Sequence, residues 1–152
     1  MKRRMNVAEA APAVYNAVRA LDAAVAQSGL DARFRHLVKI RASQINGCAY
    51  CVDLHVKEAL ADGVPPQALH LLPVWRESPL FDERDRAALE WTESLTLIAG
   101  AGVPDSAFDA VRAVFSTEEI GKLTVAIGTI NVWNRIAVSS RMLHAIDQPR
   151  AA

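Results

Sequence analysis

At 152 residues the chain is the size of one domain, long enough to bury a core without disulfide or metal staples. Hydrophobic residues make up 51% and charged ones 22%, and 17 Lys and Arg balance 17 Asp and Glu, which argues for one folded domain over residues 1–152 and against a disordered chain or a nucleic-acid binder. No uncharged apolar run reaches the roughly 18–20 residues of a membrane span, and the opening "MKRRMNVAEAAP" lacks the apolar middle of a secretory signal, so a cytoplasmic protein with no membrane or nucleic-acid partner is expected.

Apolar residues recur at helical spacing throughout, and alternating or β-branched runs are missing. The expected fold is therefore all-α, a compact bundle of about six to seven helices. The first helix is expected to open at Asn6, where Glu9 three residues on completes a capping-box pattern. It should run to Ser28, with Gly29 as a left-handed stop and Val14, Val18, Leu21 and Val25 on its apolar face. A second helix starts at Asp31, presents Phe34, Leu37, Val38 and Ile45, and is interrupted by Asn46 and Gly47. A third runs from about Cys48 to Asp62, closed by Gly63 and followed by Pro65 and Pro66.

"PPQALHLLPVW" predicts one or two short helical turns, and a helix follows from Asp82 to Ile98 with acidic residues in its first turn. The "DERDR" within it reads as a solvated face, and "GAGV" as a loop. A further helix covers Pro104 to Phe115, and the capping box "STEE" at Ser116 to Glu119 opens a long last helix to about Ile146. That helix carries Ile120, Leu123, Val125, Ile127, Ile130, Val132, Trp133, Ile136 and Val138 on more than one side, so it is either the centre of the bundle or has one face against another subunit. Trp75, Trp91 and Trp133 read as core or interface residues.

The chemistry concentrates in "SQINGCAYCVDLH", residues 43–55. On a helix, Cys48 and Cys51 lie one turn apart and His55 one turn further along the same face. Gly47 sets Cys48 at the helix start, where free amides and the positive end of the dipole stabilise a thiolate, and an imidazole nearby can accept or return a proton. This spacing suits a dithiol that cycles with a disulfide. Two other readings stand: a metal held by the cysteines and His55, with His36 or Asp53 as fourth ligand, or two small buried thiols beside a core histidine. Tyr50 either packs between the cysteines or lends a hydroxyl. Asn131, Asn134 and Arg135 sit in the most apolar helix and need partners, either loop carbonyls and a neighbouring subunit or the cysteine pocket itself. His70 and His144 lack a partner pattern and read as surface or packing residues.

The stretch "LVKIRASQINGCAYCVDLHVKEA" resembles the core motif, within residues 36–59, of the alkylhydroperoxidase D-like branch of the carboxymuconolactone decarboxylase family. The likeness continues through "WRESPLFDERDRAALEWTESLT" and "LTVAIGTINVWNRIAVSSR". The resemblance implies an all-helical AhpD-like fold assembled as a homo-trimer or hexamer, with the long last helix at the core and the subunit interface. It implies an antioxidant thiol peroxidase that reduces hydrogen peroxide or alkyl hydroperoxides, with no bound cofactor or metal, and is recharged by a lipoyl-type or thioredoxin-like dithiol. By the same analogy Cys51 is the attacking thiolate, Cys48 the resolving thiol that closes a Cys48–Cys51 disulfide, and His55 the proton relay. Peroxidase members usually carry a glutamate twelve residues before the first cysteine. Here that position is His36, which is either a relay group in its place or a partly buried helix residue. The alternatives are a lyase acting on a small lactone or carbonyl acid through His55 and His36, and a redox-sensing dithiol protein.

Overall fold

The structure is a computed structural model that describes residues 1–147, the side chain of Ala101 excepted. Among the described residues the chain forms nine α-helices, one 3-10 helix and no strand, an all-α bundle with more helices than the sequence pattern separates. The first extra break has a local cause. Asn6 caps α1 (Val7–Ala10) by accepting from the Ala8 amide, but Pro12 excludes the helical conformation at the residue before it, and Ala11 turns out at φ −142°, ψ 63°. The expected single first helix is thus α1 followed by α2 (Pro12–Ala26). Its apolar face is only partly turned inward: Val25 is buried, while Val14 is 69% and Leu21 42% exposed.

Asp31 caps α3 (Ala32–Ile45), the most deeply buried of the early helices, with Leu37, Val38, Ile40 and Ala42 fully enclosed. Next come α4 (Ala49–Ala61), α5 (Pro66–Leu71) and the 3-10 helix Leu72–Glu77. Asp82 caps α6 (Glu83–Thr96), and a short α7 (Ile98–Ala101) stands where a loop was expected. The chain closes with α8 (Asp105–Val114) and α9 (Thr117–Ser140), the latter opened by the expected Ser116–Glu119 capping box.

Helix α9 stops six residues earlier than its apolar pattern suggests. Arg141 takes the left-handed conformation at φ 54°, the Met142 amide bonds back to the Ala137 carbonyl and the Arg141 amide to that of Val138. These are the paired bonds of a Schellman stop, made without the glycine that usually announces one.

Helix α9 is the centre of the bundle, packing on α2, α3, α4, α6 and α8. One buried cluster joins α3, α6, α8 and α9 through Phe34, Val38, Trp91, Val111, Leu123 and Ile127. Another joins α3 to α4, α5, the 3-10 helix and α6 through Leu37, Ile40, Ala59, Leu72, Trp75 and Leu89. Each enclosed Leu, Ile or Phe contributes about 1.5–3 kcal/mol. On α9 the opposite side stays open, with Val125 47%, Val132 39% and Val138 46% exposed. The "DERDR" segment is not a solvated face: Asp85 is 1% exposed and takes Arg33 in a two-pronged ion pair, and Arg86 bonds the carbonyls of Phe81, Arg76 and Ser78. A helical period of 3.6 residues carries one charge of such a run inward, where α3 supplies the partner.

Candidate active site

The site begins with how the end of α3 is fixed. The Asn46 amide group donates to the side-chain oxygens of Asn131 (3.0 Å) and Asn134 (2.9 Å), and Asn134 in turn donates to Ser43 Oγ at 3.0 Å. Arg135 donates to both the carbonyl and the side-chain oxygen of Asn131. The polar groups of α9 therefore satisfy one another while pinning the last turn of α3, which an apolar surrounding demands. Neither asparagine lines the cavity into which Cys51 opens. Gly47 then turns the chain at φ +64°, a conformation that costs a residue with a Cβ, and the Cys48 amide bonds to the Ser43 carbonyl.

That turn delivers Cys48 as the N-cap of α4. Its sulfur accepts the Cys51 amide at 3.3 Å, and it is paired with the Cys51 sulfur, the Cα atoms lying 5.4 Å apart, within the range a disulfide spans. Cys51 and His55, four residues apart on α4, both line a cavity of about 370 Å³ together with Tyr15, Tyr50, Leu54, Trp133 and Met142. Cys51 is 3% and His55 6% exposed. Cys48 is 1% exposed and is not among the residues that line this cavity. Of the three side chains expected on one ridge, Cys51 and His55 share the cavity, and Cys48, the capping residue just before the helical register, meets Cys51 through its sulfur.

The imidazole is held from below. His55 Nδ1 lies 2.8 Å from Glu58 Oε2, one turn further along α4. That bond holds the Glu58 carboxyl below the usual carboxylate range. Burial opposes this, and the charges of His55, Lys39 and His36 reinforce it. His36 is buried and its Nε2 lies 2.8 Å from Asp62 Oδ2, and it is not among the cavity's lining residues. Asp53 pairs with Lys57 instead, and among the described residues no group of three or more His, Cys, Asp or Glu side chains is gathered to hold a metal. His70 and His144 are exposed.

Tyr15, Arg19 and Asp22 from α2 and Met142 from beyond α9 also line the cavity. They escape a sequence reading because each comes from a distant segment, whereas Glu58, three residues from His55, was within reach of helical spacing. Chemically the arrangement is a thiol–disulfide couple at the wall of a small cavity, with an imidazole lining the same cavity. The Cys48 sulfur occupies a helix N-terminus, where a thiolate formed on reduction meets free amides.

Residues 12–94 match the carboxymuconolactone decarboxylase family. An uncharacterized protein of Bacillus subtilis (strain 168), YdfG, is 35% identical over 139 residues, covering 91% of this chain and 95% of its own. Among solved structures, a protein of unknown function from Agrobacterium tumefaciens, proposed as the antioxidant defence protein AhpD, superposes with a TM-score of 0.94 at 55% identity over 96% of this chain and 100% of its own. An uncharacterized peroxidase-related protein from Silicibacter sp. TM1040 gives 0.74 at 25% identity, over 84% and 68% of the two chains.

Proposed function

The chain belongs to the carboxymuconolactone decarboxylase family, and from that premise we propose that it is an AhpD-like thiol peroxidase that reduces hydrogen peroxide or organic hydroperoxides. The observation that carries the reading is the shared cavity of Cys51 and His55 with Cys48 paired behind it. In the reduced enzyme the Cys51 thiolate attacks the O–O bond and takes one oxygen as sulfenic acid. The alkoxide or hydroxide that leaves takes a proton returned through His55. Cys48 then attacks the oxidised sulfur, the S–S bond forms, and the hydroxyl departs with the Cys48 proton as water. A dithiol, lipoyl-type or thioredoxin-like, supplies the two electrons that restore both thiols.

In this reading His36, bonded to Asp62 outside the cavity, supports α3 and the charge around Glu58 and takes no direct part in the relay. Tyr50 belongs to the wall of the cavity. The exposed apolar faces of α2 and α9 support assembly with further copies of the chain. Among the described residues no helix is long and apolar enough to cross a membrane.

The test is a thiol count. One equivalent of hydroperoxide should remove two thiols per reduced chain, dihydrolipoamide should restore both, and Cys51→Ser should abolish steady peroxide consumption. Unchanged thiols, or lactone turnover that survives Cys51→Ser, would overturn the peroxidase in favour of a lyase.

A further inference from the structure

We infer that Glu58 is a positioning residue for His55: its carboxylate takes the Nδ1 hydrogen, leaving Nε2 as the basic atom of a ring that lines the same cavity as Cys51. For catalysis this rests on the peroxidase reading above, but the tautomer of the neutral ring follows from its bond to a carboxylate. An ionised carboxylate accepts hydrogen bonds and donates none, so at 2.8 Å the ring nitrogen facing it must carry the hydrogen. A neutral imidazole has only one hydrogen to give, and its other nitrogen is then a lone pair. Nε2 has no hydrogen-bonded partner among the described residues. In free histidine the hydrogen favours Nε2, so the bond to Glu58 reverses the intrinsic preference and turns the ring into a base at its far atom.

The other carboxylates close by are committed elsewhere. Asp22 lies 3.0 Å from the Lys39 ammonium, Asp62 is on His36, and Asp53 is on Lys57. Only Glu58 is bonded to the ring among the described residues, and its depressed pKa keeps it ionised through the neutral range. His55 is nearly enclosed, so bulk water does not compete to orient it. Triads of this logic, in which an outer carboxylate fixes the tautomer of a working imidazole, recur wherever a histidine must be a base at one chosen nitrogen.

The experiment reads the ring directly. Two-bond proton–nitrogen correlation spectra of the oxidised protein at pH 8, with His55 assigned by comparison with His55→Gln, should show hydrogen on Nδ1 and none on Nε2. Glu58→Ala should return the ring to the Nε2–H form and lower kcat for hydrogen peroxide roughly tenfold with KM within about twofold. Glu58→Gln, whose amide oxygen still accepts the Nδ1 hydrogen, should keep the tautomer and recover part of kcat. Hydrogen on Nε2 in the unmodified protein, or a tautomer indifferent to Glu58→Ala, would overturn the inference even if peroxide is consumed. A protein with the Nδ1–H tautomer that consumes no peroxide would overturn the peroxidase reading instead and leave the role of Glu58 in setting the tautomer supported.

Discussion

Glu58 and Glu93 are both carboxylates held below their usual pKa range, yet they sit in regions built for different purposes. Glu93 of α6 is held by three donors: its Oε1 accepts from Arg41 and from the Trp75 indole, each at 2.8 Å, and its Oε2 from Arg76 at 2.7 Å. Burial alone would raise its pKa, and the three donors together outweigh that and lower it. Glu58 is bonded to one imidazole and keeps a half-exposed flank on the cavity side. A carboxylate held by donors from two other elements ties α3, the 3-10 helix and α6 into one block. A carboxylate with a single titratable partner biases the chemistry of that partner.

The sharpest way to break this comparison is to remove both groups in turn. Glu93→Ala leaves the partly buried Arg41 and the buried Trp75 indole N–H without their acceptor, and should cost about 3 kcal/mol, read as a shift of the urea midpoint without a change of slope. Glu58→Ala should cost less than about 1 kcal/mol, because its pair is partly solvated. The pH dependence carries the same contrast. The folded pKa of Glu93 lies below its unfolded value, so its stabilisation is complete above the ordinary carboxylate range and is lost as pH falls through the lower, folded value. The difference in melting temperature between the unmodified chain and Glu93→Gln should therefore narrow as pH is taken from 7 to about 3. A gap that stayed constant would mean the charge of Glu93 contributes nothing.

What the sequence disclosed divides along similar lines. The end of α3, the Gly47 turn, the start of α4 and the capping box of α9 are local events, set by residues within one turn of each other, and each was readable. The all-α class followed from periodicity. The inward charge at Asp85 and the contribution of α2 to the cavity were not readable, because each depends on which distant element supplies the other half. The double apolar character of α9 was visible, and one chain accounts for only one of its sides.

Asn46 offers an intermediate test, because it joins a readable turn to unreadable partners. Asn46→Ala leaves the Asn134 oxygen buried without its donor and loosens the hold of α9 on the turn before Cys48. The expected loss is about 2 kcal/mol. The rate of disulfide closure after oxidation should fall along with it, since the helix start that aligns the two sulfurs is no longer pinned. A stability loss with unchanged closure would place the alignment in Gly47 and the cap bond alone.

The smallest expected effect lies at Arg141, the residue before Met142 of the cavity wall. Its left-handed backbone costs a residue with a Cβ about 1–2 kcal/mol, while glycine there would gain conformational freedom in the unfolded chain and return part of that. Arg141→Gly should thus stabilise by about 0.5–1 kcal/mol, or roughly 1–4 °C in a chain of this size. The Schellman bonds that seat Met142 on the cavity wall are backbone bonds and survive the change. Thiol loss per equivalent of peroxide should stay at two. If the melting temperature rises and the thiol count holds, the geometry of the stop and the chemistry of the cavity are separable, as the contrast between Glu93 and Glu58 requires. A fall in stability would show that the arginine side chain contributes more at this end of α9 than its backbone costs.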